Sequence, residues 1–448
     1  MLGVWGPVRG PRFQLVSELV IAGLGFAALL LLMLVRVPIA ASMAIVGVFG
    51  TAAIAGWPAA LATLRQGPFE RASSYTLVVI PLFVLMGFVA AQAGLSQNLF
   101  RAANVWLGQW RGGLAMATVG ACAGFAAICG SSVATGAAMC TVALPEMRRF
   151  KYADSLSTGS IAAGGTLGIM IPPSIVFVIY GIMTEQSIGK LLLAGIVPGL
   201  VETVLFIVAV AVVTTLWPAL GAAGPPATWR ERLLAARGVW EVIVLFLIVI
   251  GGIYVGLATP AESAGFGAVG ALAFGLAKRT LAWRNLLSAL DQTIRTTAMV
   301  FFIVIGADLF GYFMALSQFP MRLAGWYTHM QVAPVVVLWS IIVTYIVLGA
   351  LMDELAMILL TVPIFFPIVK GLGYDPIWFG VIIVVVVQIG LIAPPVGLNV
   401  FVIGGMARDV PLITIYRGIM PFLAAMIVLL VLLTLWPQLA LVLPSTMK

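Results

Sequence analysis

Residues 164–178 read GGTLGIMIPPSIVFV and residues 388–402 read QIGLIAPPVGLNVFV. Neither stretch carries a charge, and each is cut by a proline pair. Proline removes a backbone donor and clashes with the preceding turn, so both runs break as helices. In hydrocarbon a freed carbonyl finds no water, and a break survives only where protein or a polar cavity covers it. The chemistry such breaks offer is ion binding. A half-helix N-terminus presents amide groups and partial positive charge to an anion. Unwound carbonyls can ligate a small cation such as Na⁺. Gly164, Gly165, Gly168 and Gly390 let the chain adopt the dihedrals a break needs.

Side chains of matching type surround the breaks. Ser131, Ser132 and Thr135 supply hydroxyls in GSSVATG, 130–136, which interrupts an apolar run. Ser174 follows the first proline pair. Asn399 follows the second, and its amide can ligate a cation or donate to a substrate. Asp353 lies in GALMDELA, 349–356, and an intramembrane acid is a functional candidate by default. Neighbouring Glu354 is placed at the wet edge. Asp308, inside FFIVIGADLFGYF, either serves the site or pairs across a helix interface. No Lys or Arg occurs in either tip or break. Carboxylate recognition would therefore use amides, hydroxyls and bound sodium. Gly130-Ser131-Ser132 superficially suggests a serine nucleophile, but that chemistry needs a base. The sole histidine, His329, falls in an interfacial segment of the other half, where packing is expected.

These residues must be positioned by membrane helices. Of 448 residues 62% are hydrophobic and 8% charged, which excludes a soluble protein. About 20 apolar residues span a bilayer, and this chain has many such runs. The net charge of +8 is scattered over short loops, which fits positive-inside orientation and not nucleic acid. Cys122, Cys129 and Cys140 read as free buried thiols. No cleavage site is evident near the start, so the first hydrophobic segment is expected to be retained.

The landmarks recur at an offset of about 220 residues. Gly168-Ile-Met-Ile-Pro-Pro aligns with Gly390-Leu-Ile-Ala-Pro-Pro, and AGIVPG from Ala194 with RGIMPF from Arg417. After an extension, 1–15, the first repeat covers 16–220. It has spans at 16–35, 40–62, 77–94 and 190–215. Leu99, Ala103, Trp106, Leu107 and Trp110 form an interfacial face. A hairpin is expected over 114–145 and a broken helix over 157–183. A cytoplasmic linker, 221–239, precedes the second repeat, 240–438. That repeat has spans at 240–258, 261–277, 297–317 and 418–438, an interfacial segment at 319–331, a hairpin at 333–369 and a broken helix at 377–405. Residues 439–448 form a tail. An odd number of crossings per half makes the repeat inverted. Placing the first hairpin inside puts RRFK, RERLLAAR and KRTLAWR in the cytoplasm and both termini in the periplasm. The fold class is all-α and polytopic, with inverted repeats, two re-entrant hairpins and two broken helices, the pattern of a secondary transporter.

GSSVAT, GGTLGIMIPPS with YGIMTEQSIGKLLLAGIVPG, DELAMILLTVPIFFP and APPVGLNVF resemble the large membrane subunit of the tripartite ATP-independent periplasmic (TRAP) transporters. The likeness runs from about residue 16 over nearly the whole chain. It implies an elevator transporter of the bacterial inner membrane, driven by sodium, with coupling by two or more Na⁺ and no organic cofactor. It also implies a small four-helix membrane subunit on a separate polypeptide and a periplasmic substrate-binding protein that delivers an organic acid. By the same resemblance Ser132, Thr135, Ser174, Asp353 and Asn399 would bind substrate. Ser131, Ser132, Gly168, Pro172, Gly349, Gly390, Ala393 and Asn399 would hold sodium. Glu354 departs from the family, whose members often carry proline there. A stand-alone proton- or sodium-coupled organic anion carrier, with Asp308 and Asp353 as a relay, is the alternative; a passive channel needs no paired broken helices.

Overall fold

The computed structural model describes residues 11–329, 333–350 and 352–447. Every element among them is helical. The chain runs through α1 (Pro11–Leu34), α2 (Ile39–Ala55), α3 (Trp57–Ala72), α4 (Val79–Gln92), α5 (Leu95–Leu107), α6 (Gly113–Cys129), α7 (Ser132–Arg149) and α8 (Asp154–Met170). There follow α9 (Ile175–Thr184), α10 (Ile188–Ala194), α11 (Ile196–Leu216), α12 (Trp229–Arg237), α13 (Trp240–Phe246), α14 (Gly252–Val255) and α15 (Pro260–Ala277). The rest comprises α16 (Trp283–Leu316), α17 (Phe319–His329), α18 (Pro334–Gly349), α19 (Glu354–Gly371), α20 (Pro376–Ile392), α21 (Leu398–Met406), α22 (Leu412–Leu435) and α23 (Gln438–Thr446). Among the described residues six helices are long and apolar enough to cross a membrane, or seven if the bent α12–α14 segment counts as one span. α2, α6, α18 and α20 are apolar but shorter.

The elements depart from the sequence expectation in four places. The span expected over 40–62 is cut at Gly56, whose φ of +86° ends α2, and Pro58 in the first turn restarts the chain as α3. The span expected at 297–317 begins earlier, at Trp283. Its first residues, WRNLLSALDQTIRT, are too polar for a hydropathy window yet good helix formers. The linker holds a helix: Thr228 and Glu231 form a capping box at the start of α12, and Arg232 stacks on Trp106 and Trp229. The face named on α5 does not all meet the interface. Leu99 is buried and touches the space beside Gly124, and Leu107 that beside Gly120. Small residues on α6 open a groove there, while Trp106 and Trp110 stay exposed. The packing expected of His329, and residues 330–331 of that segment, lie outside the described side chains.

The chain forms two compact units. The first comprises Met1–Leu77, Ala298–Leu338 and Leu359–Gly373. Its helices approach closely where side chains are missing, as membrane helices do. A Cβ on Gly47 would fall 2.5 Å from the Leu309 carbonyl carbon, and those on Gly25 and Gly50 would meet the buried Phe313 ring at 2.6 and 2.5 Å. Arg71 Nε donates to Asp308 Oδ1 at 2.8 Å. Of the two readings of Asp308, pairing across a helix interface is the one observed.

The second unit comprises Val78–Thr297, Trp339–Ile358 and Tyr374–Lys448. Residues 156–181 are buried without exception, as are Ile377–Ile392 of α20. Helices buried on every face are helices surrounded by others, so α8 and α20 form the centre of this unit. Glu241 is fully buried on α13 and is paired with Lys278 just beyond α15. Near the ends of α7 and α21, Arg148 Nη2 donates to Asp409 Oδ2 at 2.7 Å. That hydrogen bond holds the Asp409 carboxyl below the usual carboxylate range.

Candidate functional site

All the residues singled out at the tips and breaks belong to the second unit. The interruption between α6 and α7 is a two-residue turn. Gly130 ends α6 at φ +70°, a conformation L side chains avoid. Ser131 is extended and caps α7, its Oγ accepting from Ala134 N at 3.4 Å. Gly130 must also be glycine for space, because a Cβ would lie 2.5 Å from the Pro173 carbonyl oxygen. The first tip therefore rests on the first break.

That break runs Ile171–Ser174. Pro172 follows the extended C-cap Ile171, and Ser174 caps α9. Ser174 Oγ donates to the Ile169 carbonyl at 2.6 Å and accepts from Phe177 N at 3.4 Å. Its hydroxyl is thus engaged with backbone on both sides of the break. Gly168 presses on the Ser131 carbonyl, and a Cβ there would also stand 2.7 Å from Thr135 Oγ1. Thr135 Oγ1 is buried and has no partner among the described residues.

The second set is built alike but furnished differently. α18 ends at Gly349 and α19 begins at Glu354. Leu351 between them lies outside the described residues. A Cβ on Gly390 would come 2.7 Å from the Gly349 backbone, the counterpart of Gly168 on Ser131. Ala393 is extended after α20, its N–H donating to Ile389 O at 2.8 Å, and Gly397 enters α21 at φ +60°. Asn399 is buried, with Nδ2 donating to Ala162 O at 3.3 Å and Oδ1 unpartnered among the described residues.

One hydrogen bond joins the tips. Ser132 Oγ donates to Glu354 Oε2 at 2.8 Å, across 222 positions of sequence. The residue placed at the wet edge is therefore the one that meets Ser132. Asp353 instead turns to its own helix, Oδ1 accepting from Leu355 N at 3.1 Å. An acid one residue before a helix is a capping group, and the sequence D-E-L-A carried that signal. The structure brings Ser131, Ser132, Thr135, Gly168 and Glu354 into one group, Pro173 and Ser174 beside Gly130, and Gly349 beside Gly390, with Pro172 buried in the first break. It places Asn399 against α8. Two further buried polar residues escaped the sequence reading. Gln388 Nε2 donates to Thr166 O at 2.9 Å and to Glu202 Oε2 at 3.1 Å. Glu202 was legible by the rule applied to Asp353, an acid inside an apolar span.

An all-helical, multi-pass membrane protein whose buried polar groups gather at helix interruptions is built as a carrier. The chain belongs to the family described as "Tripartite ATP-independent periplasmic transporter, DctM component", which it matches over residues 26–439. It is 38% identical over 391 residues to the C4-dicarboxylate TRAP transporter large permease protein DctM of Pseudomonas aeruginosa, covering 87% of this chain and 90% of that one. It is 34% identical to the isethionate TRAP transporter permease protein DctMQ of Oleidesulfovibrio alaskensis, covering 92% of this chain and 64% of the relative. The sialic acid TRAP transporter large permease protein SiaM of Vibrio cholerae is 32% identical, covering 83% of this chain and 87% of the relative. These relatives are permeases, not enzymes. The fold resembles that of the crystal structure of the Alcanivorax borkumensis YdaH transporter, with a TM-score of 0.57, 18% identity and coverage of 85% of this chain and 88% of that one.

Proposed function

We propose that this chain is the permease of a sodium-coupled importer that takes an organic acid from a periplasmic binding protein and carries it by an elevator movement. The observation that carries the reading is the Ser132–Glu354 hydrogen bond. It joins the tips of two interrupted helix pairs, and the unit that holds both tips also contains both proline breaks. In this reading α6–α7 and α18–α19 are re-entrant hairpins of two inverted repeats, and they move together with the two broken helices. The unpartnered oxygens of Thr135 and Asn399 suit sodium or substrate, because buried polar atoms are otherwise paired.

The substrate class rests on the relatives, whose names specify dicarboxylate, isethionate and sialic acid. A small membrane subunit and a binding protein are the partners a tripartite system requires, and the longer DctMQ relative leaves room for a second membrane component. Each sodium moving down about 100 mV gains about 2.3 kcal/mol from the field. Uptake into proteoliposomes holding the chain with its small subunit, and binding protein outside, is expected to need sodium and to rise with an inside-negative potential. Uptake that persists without sodium and ignores the potential sinks the reading. Uptake unchanged when the binding protein is omitted leaves the stand-alone carrier in its place.

A further inference from the structure

The linker helix α12 is held in a fixed place. Gly224 N donates to Gly108 O at 2.9 Å and Gly112 N to Gly221 O at 3.2 Å. The Tyr152 hydroxyl donates to Ala222 O at 2.6 Å. From α12 itself, Arg232 Nη2 donates to Gln109 Oε1 at 2.9 Å, and the Trp106 and Trp229 rings meet edge to face at 6.2 Å. The side of α12 that carries Arg232 is therefore turned to α5 and the turn after it.

The other side is of mixed character. Trp229, Arg230, Leu233, Leu234 and Arg237 fall within an arc of about 140° on the helix, and all five are exposed. Trp229, Leu233 and Leu234 are 69, 63 and 54% exposed, a poor face for water. Glu231 lies outside that arc, its Oε2 accepting from Thr228 N and Oγ1. Neither Arg230 nor Arg237 enters a salt bridge among the described residues. With three arginines and a glutamate in nine residues, α12 is too charged for hydrocarbon. Past Gly238 the chain bends by 47° into the apolar stretch Trp240–Val255. A helix set at an angle to the span that follows it, with Trp and Leu among arginines, suits the headgroup layer. Its apolar side chains reach acyl carbons while the guanidinium groups extend to phosphates. On α5 and the turn after it, Arg101, Trp106, Trp110 and Arg111 are exposed as well. Residues 95–111 and 228–237 together hold five arginines against one acid. A zwitterionic lipid would need only the apolar groups, and a nucleic acid or free phosphate only the arginines. An anionic lipid uses both.

We infer that α5 and α12 form a platform for anionic phospholipid, with Arg230 and Arg237 on the headgroup phosphates and Trp229, Leu233 and Leu234 among the upper acyl carbons. The chain passes from α5 into α6 within a few residues, so the lipid sits at the foot of the helix pair that carries Ser131 and Ser132. The platform requires neither sodium coupling nor an elevator movement, and failure of that reading leaves it standing.

The test is thermal unfolding of the purified, delipidated full chain at low salt, titrated with dioctanoyl phosphatidylglycerol or dioctanoyl phosphatidylcholine. Phosphatidylglycerol is expected to stabilise the parent at the lower concentration. A basic residue at an anionic surface contributes about fivefold in affinity, so Arg230→Gln with Arg237→Gln should raise the phosphatidylglycerol midpoint about twenty-five-fold and leave the phosphatidylcholine curve in place. Arg230→Lys with Arg237→Lys should keep most of the response. Substitutions of exposed side chains away from packed features rarely disturb folding, so the variants remain comparable with the parent. Arg284→Gln with Lys370→Gln removes the same charge from other exposed positions and should leave the midpoint unchanged, and glycerol phosphate should not stabilise the parent. Equal phosphatidylglycerol midpoints in the parent and the Arg230, Arg237 glutamine variant overturn the proposal. So does an equal shift in the Arg284, Lys370 variant, which would reduce the effect to net charge, or equal stabilisation by glycerol phosphate, which would make this a site for a soluble anion. A glutamine variant that keeps its phosphatidylglycerol response but no longer co-purifies with the small membrane subunit would assign the face to a protein and overturn it too.

Discussion

At the first break Ile171, Pro172, Pro173 and Ser174 are all buried, whereas at the second Pro394, Pro395 and Val396 are exposed. The two motifs are alike in sequence, and each ends a helix on an extended residue. Their backbone groups are satisfied by different means. Ser174 ties the first break to α8 and α9 with its own hydroxyl. At the second break the Tyr416 hydroxyl lies 2.9 Å from the Pro395 carbonyl and 2.6 Å from that of Val396, and the surroundings do the rest. Proline decides where a helix ends. What the freed groups meet depends on the neighbouring elements, and these differ: the first tip rests on Pro173, whereas residues 394–396 are exposed.

The largest effects are expected where the two sites agree. Gly168→Val and Gly390→Val each drive a side chain into backbone, that of Ser131 in one case and of Gly349 in the other. Backbone does not yield as a flexible side chain does, and overpacking of this kind destabilises by about 1–3 kcal/mol or more. Both variants should lose uptake and melt well below the parent in scanning fluorimetry. A Gly390→Val protein with parental melting temperature and uptake would show that the second approach is loose, and the likeness between the two sites would be superficial.

The next effect tests the contact that joins them. A hydrogen bond to a charged acceptor contributes about 1.5–3 kcal/mol, so Ser132→Ala and Glu354→Gln should each cut uptake by roughly tenfold to a hundredfold. The double variant should be little worse than either single one if the pair acts as a unit. Asp353→Asn should fold normally, because asparagine caps a helix about as well as aspartate. Comparing Asp353→Asn with Glu354→Gln in the same uptake assay asks which acid matters. An inactive Asp353→Asn beside a fully active Glu354→Gln would reverse the assignment made from the geometry.

Much of this architecture was readable before any coordinates. Proline pairs, Gly130 and the apolar runs located the tips and breaks to within a few residues, because those signals are local. Partners were not readable. Glu354 was assigned to the wet edge since nothing in D-E-L-A says that a residue 222 positions away supplies a hydroxyl. Asp353 reads as a site acid by its depth, yet its place just before α19 makes it a cap. Asp308 stayed ambiguous until Arg71 appeared beside it. Gln388 is silent for the same reason, one amide in an apolar helix whose partners lie on other helices, whereas Glu202, an acid inside an apolar span, is legible by the rule applied to Asp353. The α5 stripe was misjudged because the glycines that receive it sit on α6.

A smaller effect is expected at the enclosed break. Ser174→Ala leaves the Phe177 N–H and the Ile169 carbonyl without the hydroxyl. Losing a cap costs about 1 kcal/mol, and leaving buried groups unsatisfied adds about 1–3 kcal/mol. The melting temperature should fall measurably, and Ser174→Thr should restore part of it by returning a hydroxyl. If Ser174→Ala is as stable as the parent yet no longer transports, the hydroxyl serves the substrate and not the fold.

The smallest effect belongs to the open break. Tyr416→Phe removes a hydroxyl that lies against the Pro395 and Val396 carbonyls, but residues 394–396 are exposed. Where water can reach such carbonyls it replaces the lost partner, and the net contribution of a hydrogen bond is only about 0.5–1.5 kcal/mol. Tyr416→Phe should therefore melt within a few degrees of the parent, well above Ser174→Ala. Its signature should be local. A cysteine at position 396 in a protein otherwise freed of cysteine should react faster with a water-soluble thiol reagent once Tyr416 is phenylalanine. The matching probe at position 173 should stay unreactive in the parent, because that residue is buried. Equal labelling at 173 and 396 in the parent would mean that both breaks open to the same degree during the protein's movements. The contrast between an enclosed and an open break would then describe one conformation of the carrier and not a fixed division of labour.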